Sequence, residues 1–266
     1  MSQEKEWVKQ NYGVIAAGKQ SGCCGPSPCG CGDPAALVAQ AIGYDAADLS
    51  AVPQGANLGL GCGNPLALAS IKPGETVLDL GSGAGFDAFL AAAKVGPAGK
   101  VIGVDLTPEM IEKARANAAR DGVTNVDFRL GDIESMPVED CSVDLIISNC
   151  VLNLVPNKIK AFQEIFRVLK PGGRIAIADI VLDGQLPDAL QDNVQAYCAC
   201  ISGAVSRQAY LRGLEVAGLT DVRVESEFDA AALLTGGCCN SATALQGVAT
   251  SIRVTARKPA GGCCCH

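Results

Sequence analysis

The chain is almost without histidine. Its 266 residues hold a single one, His266, at the last position. A zinc site built from several histidines, or a catalytic triad with histidine as its base, is therefore nearly excluded. Charged residues are also scarce, at 18% of the chain, whereas hydrophobic residues make up 48%. This balance is typical of a globular protein and not of a disordered one.

Positive charge is in deficit, because 21 Lys and Arg residues face 28 Asp and Glu residues, for a formal net charge of −7. An acidic chain repels phosphate backbones, so we expect no nucleic-acid partner. The charged stretch from Met1 to Gln10 lacks the apolar core of a secretory signal. No apolar run reaches about 18 residues without interruption, so no membrane-spanning helix is predicted. We therefore expect a cytoplasmic protein.

Cysteine, in contrast, is abundant, with 14 in the chain. This number is too low for a small disulfide scaffold and too high for an ordinary cytosolic enzyme. Since no export signal is present, most of these cysteines are expected to be reduced thiols. Reduced cysteines in pairs indicate soft-metal chemistry or redox exchange before structural bridges.

Three zones and a short tail follow one another along the chain. Residues 1–70 are rich in Gly, Pro, Cys and Ala, and residues 71–182 alternate strand-like and helix-like patterns. Residues 183–258 carry a helix-rich stretch and two late strand-like runs, and residues 259–266 form a tail that we expect to be flexible. The alternation in the middle zone predicts an α/β fold with a Rossmann-like, doubly wound and mostly parallel sheet. Cysteine-bearing additions stand at both ends of it.

Five strands are predicted in the middle zone, each a short apolar run. They are placed at residues 76–80, 100–105, 126–130, 143–148 and 174–180. Thr107 followed by Pro108 is a favourable helix start, and Gly122 is a favourable helix end. The Pro171-Gly-Gly turn is predicted to break the chain before the fifth strand.

A glycine-rich turn follows the first predicted strand, in the order Asp79-Leu-Gly81-Ser-Gly83-Ala-Gly85. Glycines let a ligand approach the backbone closely, and the start of the next helix presents free N–H groups. The dinucleotide fingerprint needs its third glycine at the sixth position from Gly81, which is Phe86 here. The third glycine stands at the fifth position instead, and this departure counts against NAD or FAD.

Over roughly residues 71–182 the chain resembles the class I S-adenosylmethionine-dependent methyltransferases. The resemblance rests on the acidic residue before GxGxG, on Asp105 ending the second strand, on Asp132 after the third, and on the Leu169-Lys-Pro-Gly-Gly173 turn. It implies S-adenosylmethionine as the cofactor. The implied cofactor-binding residues are Asp79, Gly81, Ser82, Gly83, Gly85, Asp105, Leu106, Met110, Asp132, Ile133 and Asn149.

Some of these residues have individual roles by the same resemblance. Asp79 and the glycine loop would hold the methionine part, and Asp105 would bind both ribose hydroxyls, since one carboxylate can accept two hydrogen bonds. Leu106 and Met110 would flank the adenine ring, and Asp132 would accept from the adenine amino group beside Ile133. The structural alternative is a solvated strand end for Asp105, a local turn for Asp132, and plain core for the two apolar residues.

Three cysteines stand in distinctive surroundings. Cys62 lies in Gly-Cys-Gly before the core, Cys150 lies in SNCVLNLVP directly after the fourth strand, and Cys200 lies in CISGA. Ligands of a parallel sheet bind beyond the carboxyl ends of its strands, which is where Cys150 falls. These surroundings resemble those of the arsenite methyltransferase family, over roughly residues 11–256. The resemblance implies that the three cysteines bind trivalent arsenic, that the chain methylates it, and that the reaction serves arsenic detoxification.

Three thiolates suit such chemistry. Trivalent arsenic is soft, takes thiolate sulfur readily and keeps a lone pair after making three bonds. That lone pair can attack a sulfonium methyl group without a general base, which agrees with the lack of histidine. The enzyme would contribute proximity and alignment, worth about 7–11 kcal/mol in favourable cases.

The segment from Tyr12 to Cys24 resembles the N-terminal segment of the same family, which uses a cysteine there to form a disulfide and so reduce pentavalent arsenic after methyl transfer. By this resemblance the redox cysteine is Cys23 or Cys24, with Cys29 and Cys31 close by. The implied partners are arsenite as a thiol conjugate and a thioredoxin-like reductant or glutathione.

Two other functions stay open from the residues alone. One is another small-molecule methyltransferase of this fold, such as a quinone-type C-methyltransferase. The other is a cysteine-rich metalloid-binding protein on an inactive scaffold. For any single cysteine, the plain alternative is a small buried hydrophobe. Two interpretations stay open for the outlying cysteines: they capture arsenite, or they are an incidental set of thiols. These cysteines are Cys238, Cys239, Cys263, Cys264 and Cys265.

Overall fold

The computed structural model describes residues 2–18, 33–191, 193–231 and 245–261. In these four ranges, no helix is both long and apolar enough to cross a membrane. Some predicted functional cysteines lie outside them, namely Cys23, Cys24, Cys238, Cys239, Cys263, Cys264 and Cys265.

A single sheet of seven strands forms the centre of the described chain. The strands are β1 (Thr76–Leu80), β2 (Lys100–Asp105), β3 (Val126–Leu130), β4 (Val143–Asn149), β5 (Leu169–Leu182), β6 (Thr220–Asp229) and β7 (Ala249–Arg257). Their order across the sheet is β3-β2-β1-β4-β5-β7-β6. Strands β1 to β5 run parallel, and β7 lies antiparallel between β5 and β6. The predicted Rossmann-like, mostly parallel α/β fold is confirmed.

Helices flank the sheet on both faces. They are α1 (Gln3–Ala16), α2 (Pro34–Ala41), α3 (Ala46–Ser50), α4 (Phe86–Val95), α5 (Pro108–Asp121), α6 (Lys158–Val168), α7 (Asp188–Gln191), α8 (Val194–Cys198) and α9 (Arg207–Val216), with 3-10 turns at Pro65–Ala67 and Leu152–Leu154. Side chains of α6 and α9 fill one face of the sheet, and those of α4 and α5 fill the other.

Alternation along the strands produces these two hydrophobic cores. In β1, Leu78 and Leu80 belong to the core under α6 and α9, whereas Val77 belongs to the core under α4 and α5. Neighbouring side chains of a strand point to opposite faces, so a strand buried on both sides is mainly apolar. This explains why apolar residues predominate in β1 and in the middle of β4.

Strand β5 differs from its prediction. It begins at Leu169, and the Pro171-Gly-Gly turn lies inside it as an irregularity, with Val143 paired to Leu169 and Leu145 already paired to Arg174. The end of β7 stabilises this bulge, because the backbone of Lys258 exchanges hydrogen bonds with Gly172 and Gly173. A proline and two glycines therefore mark a bulge here, since a partner distant in sequence supplies their hydrogen bonds.

The boundaries of α5 follow the sequence closely. Thr107 stands at its N-terminal cap with Pro108 in the first turn, although the Thr107 side chain makes no capping hydrogen bond. Gly122 ends the helix in the left-handed conformation, with φ of 67°. The proposed division of the chain at residues 70, 182 and 258 stays a prediction.

Glycine at position 213 is required by packing. A Cβ at Gly213, in α9, would lie 2.6 Å from Cε2 of Phe162 in the buried core. We expect Gly213→Ala to lower the free energy of unfolding by about 1–2 kcal/mol, because overpacking costs about 1–3 kcal/mol and the helix gain of alanine returns only about 0.5–1. Urea denaturation measures this. Val216→Ala, at an exposed position of the same helix, is the control, and a stabilised Gly213→Ala variant would contradict the packing argument.

Candidate active site

The carboxyl ends of the parallel strands bring most of the predicted site residues to one edge of the sheet. The glycine loop follows β1, Asp105 ends β2, and Asn149 ends β4. Leu80 is in register with Ser148, and Asn149 is in register with Ala178 of β5. The end of β1, the end of β4 and the last part of β5 are therefore level, so a ligand at this edge meets all three.

The glycine loop turns sharply after β1. Gly81 and Gly85 have φ of 67° and 98°, in the left-handed region that disfavours other residues. A Cβ at Gly81 would also lie 2.5 Å from Cγ2 of Val151, and one at Gly85 would lie 2.6 Å from Cε2 of Phe89. The loop therefore depends on glycine for both conformation and space.

Carboxylates surround this loop. Asp105 accepts the backbone N–H groups of Gly83 and Thr107 at 2.9 and 2.8 Å. Asp79 is buried, and burial, together with the nearby Asp87 and Asp105, raises its pKa well above the ordinary range. One oxygen of Asp79 and the hydroxyls of Ser82 and Ser148 have no hydrogen-bond partner among the described residues. Buried groups left in this way fit a polar, positively charged ligand such as S-adenosylmethionine.

The residues predicted to surround adenine lie around α5 and the turn after β3. Met110 and Ile133 are buried, and Leu106 is half-buried. Asp132 forms an ion pair with Lys5 of α1, whose Nζ lies 2.6 Å from the Asp132 Oδ2. Lys5 Nζ also lies 3.0 Å from Glu134. The sequence offers no sign of this pair, because its partners are 127 residues apart.

Asn149 holds together the segments around the site. Its side-chain oxygen accepts the backbone N–H of Cys62 at 3.0 Å, and its amide nitrogen donates to the carbonyl of Gly63 at 2.8 Å. The same nitrogen donates to Tyr44 and Asp87, which are themselves hydrogen-bonded to each other. The polar atoms of Asn149 are thus engaged with protein groups, and its contact with the cofactor stays a prediction.

The three predicted arsenic ligands lie together beside Asn149. Cys62, Cys150 and Cys200 are buried free thiols in one hydrophobic cluster. The Cys62 and Cys150 sulfur atoms and an Asp179 oxygen all lie within 4.8 Å of one another. The Cys200 sulfur lies 2.6 Å from the carbonyl oxygen of Cys150. We name the group of three buried thiols, Cys62, Cys150 and Cys200, the thiol pocket, and Asp179 borders it.

Two of these cysteines hold a strained backbone. Cys150 has φ of 60° and Cys200 has φ of 64°, values that place both in the left-handed region. For residues other than glycine this conformation costs of the order of 1–3 kcal/mol. The surrounding structure fixes both turns, since Cys150 N–H donates to Ala178 and Cys200 N–H donates to Tyr197.

Burial favours the protonated thiols of Cys62 and Cys150. It raises the pKa of Cys62, and it raises the pKa of Cys150 well above the ordinary value, with Cys200 and Cys62 adding to the latter shift. These two neutral thiols can approach one another without the repulsion that two thiolates would meet. A ligand that bonds to these sulfur atoms must therefore also displace their protons.

Asp179 borders the thiol pocket, and the sequence pattern did not predict it there. It lies in β5 with no exposed surface, and burial raises its pKa to about 7. Its oxygens accept from Asn153, from the Ile180 N–H and from Tyr210. The available signal was an acidic residue inside the apolar run that ends at Leu182. A charged residue inside an apolar run indicates either that the strand is wrongly assigned or that the residue has a function.

Helix α1 joins the cofactor side to the thiol pocket, which was also not predicted. Lys5 contacts Asp132, and Tyr12, two turns later, donates to the carbonyl of Cys198 at 3.0 Å. Removal from water raises the pKa of Tyr12, and so do the thiols of Cys200 and Cys150. One helix therefore borders both halves of the site.

Comparison with known proteins agrees with this architecture. Residues 71–218 match a family model described as a methyltransferase domain. The chain is 48% identical over 228 residues to an arsenite methyltransferase of Halobacterium salinarum, covering 83% of this chain and 58% of that protein. It is 40% identical over 171 residues to an arsenite methyltransferase of Aquipseudomonas alcaligenes, covering 62% and 49%. The chain thus spans about half the length of these curated relatives.

A solved structure shows the same relationship, and this chain covers a larger share of that protein than of the curated relatives. The crystal structure of an arsenic(III) S-adenosylmethionine methyltransferase from Chlamydomonas reinhardtii superposes with a TM-score of 0.66 and 32% sequence identity, covering 85% of this chain and 75% of that one. The family model, the sequence identities and the structural superposition agree, and the chain therefore belongs to the arsenite methyltransferase family.

Proposed function

We propose that this protein methylates trivalent arsenic with S-adenosylmethionine as methyl donor, and that Cys62, Cys150 and Cys200 bind the arsenic. The observation that carries the proposal is the meeting of these three free thiols, from distant parts of the chain, in one buried pocket. The pocket lies at the same sheet edge as the glycine loop. The names of the relatives support the choice of arsenic as acceptor.

In this proposal the glycine loop, Asp79 and Asp105 hold the cofactor, with Leu106, Met110, Asp132 and Ile133 on its adenine side. When bound, S-adenosylmethionine supplies an electrophilic methyl group on a sulfonium centre. The thiol pocket keeps water away and aligns the arsenic with the cofactor side. Its apolar lining, which includes Leu154 and Ile180, would exclude water while positive charge passes from the sulfonium centre to the arsenic.

Arsenic enters as a thiol conjugate and changes ligands in the pocket. Each bond between a protein sulfur and arsenic forms as a bond between arsenic and the carrier thiol breaks. The proton of the protein thiol passes to the departing thiolate, so charge is conserved at every exchange. Three sulfur ligands leave the arsenic lone pair as the nucleophile, and no general base is needed.

Two further parts of the proposal concern the reduction of oxidised arsenic and the location of the protein. Cys23 or Cys24 would return oxidised arsenic to the trivalent state by forming a disulfide, which a thioredoxin-like protein or glutathione would then reduce. A cytoplasmic location would suit such a cycle, because thiols stay reduced there.

Loss of single thiols tests the proposed ligands. With arsenite, a thiol and methyl-labelled cofactor, we expect the natural chain to form methylated arsenic and Cys150→Ser or Cys200→Ser to lose turnover. Serine oxygen is a hard ligand that holds soft arsenic poorly. Cys62→Ser should impair methylation of arsenite more than that of already methylated arsenic, which needs fewer thiols.

The matched control is Cys198→Ser, a buried free thiol two residues from Cys200, which should keep its activity. An active Cys150→Ser or Cys200→Ser variant would remove that residue from the ligand set. Absence of methylated arsenic from the natural chain would refute the function. Label in a quinone fraction, or arsenite binding without transfer, would then identify which alternative holds.

The cofactor side can be tested by direct binding. Asp105→Asn keeps one acceptor and removes the other, so we expect the affinity for S-adenosylmethionine to fall by about tenfold or more, the loss of a hydrogen bond to a charged group. Isothermal titration calorimetry measures this, and arsenite affinity should not change. Asp121→Asn, at the end of α5, is the control. An unchanged cofactor affinity in Asp105→Asn would contradict the ribose assignment.

The close approach of the Cys62 segment to β5 gives another test. A Cβ at Gly63 would lie 2.7 Å from the Cβ of Ala178, so Gly63→Ala must push the segment away from the strand. We expect arsenite affinity to fall by about tenfold, because about 1.4 kcal/mol of contact and alignment energy is lost, while cofactor affinity stays the same. Gly184→Ala, which meets only ordinary contacts, is the control. Equal losses for both ligands would show that the variant disturbs the whole edge.

A further inference from the structure

The thiol pocket is bordered by the Asp179 carboxylate, which arsenic methylation does not use. Asp179 is fully buried, and one of its oxygens lies within 4.8 Å of the sulfur atoms of both Cys62 and Cys150. Three thiols already satisfy trivalent arsenic, which makes three bonds. A carboxylate held against two thiols therefore calls for a different explanation.

Asp179 and the backbone at Cys62 are held in place by their own partners. Asn153 donates to one Asp179 oxygen at 2.8 Å, and Tyr210 donates to the other at 3.1 Å. The backbone on both sides of Cys62 is fixed, since its N–H donates to Asn149 and its carbonyl accepts from Ser251. Metal ligands in proteins are commonly oriented by such outer hydrogen bonds.

The spacing suits one small cation. In tetrahedral zinc sites the metal–sulfur distance is about 2.3 Å and the metal–oxygen distance about 2.0–2.2 Å, so two ligand atoms lie roughly 3.5–3.8 Å apart. Mutual distances within 4.8 Å allow one ion to contact all three atoms after small side-chain rotations. A mixed set of sulfur and oxygen suits borderline and soft divalent ions, Zn²⁺ and Cd²⁺.

Charge also favours a divalent ion. Two thiolates and one carboxylate carry three negative charges, of which a divalent ion offsets two. The Lys158 Nζ donates to the carbonyls of Asn153 and Val155, and Asn153 in turn donates to Asp179. Its ammonium group can balance the remaining charge, which makes the filled pocket nearly neutral, as burial requires.

We propose that Cys62, Cys150 and Asp179 form a binding site for a soft or borderline divalent cation, Zn²⁺ or Cd²⁺, that competes with trivalent arsenic for the thiol pocket. The competition rests on the proposed function, whereas cation binding itself does not. Arsenic and the cation share the two thiols and differ in the carboxylate. The site thereby makes the protein sensitive to these ions.

The test uses ¹¹³Cd²⁺ added to the full chain, because the other cysteines also bind cadmium and must be told apart. By NMR we expect one cadmium resonance that both Asp179→Asn and Cys62→Ser abolish. Asp183→Asn, a control at an exposed carboxylate just beyond β5, should keep it. In competition titrations, Asp179→Asn should weaken the Cd²⁺ affinity of this site by at least about tenfold. Its arsenite affinity should stay within about twofold of the natural chain.

Asparagine at position 179 can keep the accepting oxygen for Asn153, so the variant is expected to fold, and its retained arsenite binding is the check. A cadmium resonance that survives in Asp179→Asn overturns the proposal. Equal loss of cadmium and arsenite affinity also overturns it, because Asp179 would then shape the pocket and not ligate. Asp179-dependent cadmium binding in a chain that forms no methylated arsenic would leave the cation site standing and reject the proposed function alone.

Discussion

The amide of Asn149 is the interaction on which the candidate site depends. It fixes the backbone at Cys62 and Gly63 to the end of β4, and it also contacts the Tyr44–Asp87 pair beside the glycine loop. A single hydrogen bond contributes only about 1 kcal/mol net to stability. Its value here is positional, since this one side chain fixes the spacing between the first thiol and the cofactor side. A shift in that spacing of about 1 Å would weaken alignment far more than it would weaken the fold.

Buried carboxylates give this edge of the sheet its electrostatic character. Asp79, Asp105 and Asp179 all have a raised pKa, and burial is the main cause in each case. Perturbed acids of this kind cluster where a protein binds or transforms a ligand. Under the proposed function, the positive charge of the cofactor would offset part of the cost of burying Asp79 and Asp105.

Much of the fold follows from local pattern. The limits of β1, β2, β3 and α5 agree with the sequence, because apolar runs, a proline and a glycine mark them directly. The bulge in β5 was not foreseen, since its hydrogen bonds come from the backbone of Lys258, far along the chain. Partners that are distant in sequence are invisible to any argument from spacing.

The same limit separates the site residues that the sequence predicts from those that it does not. Ligands meet the carboxyl ends of parallel strands, and this rule identifies Asp105 and Cys150 as candidates from their positions along the chain. Asp179 gains its place through Asn153 and Tyr210, which lie 26 and 31 residues away. Lys5 depends on a contact across 127 residues, which no periodicity reveals. The roles of these residues toward ligands stay predictions.

The left-handed cysteines carry a consequence for how the protein can change. Glycine would adopt the backbone of Cys150 and Cys200 without steric cost, so folding alone favours glycine at both corners. Selection for thermal stability would favour glycine at these two positions, and each such substitution would remove a sulfur atom. Under the proposed function, stability and arsenic binding therefore oppose each other at these two residues.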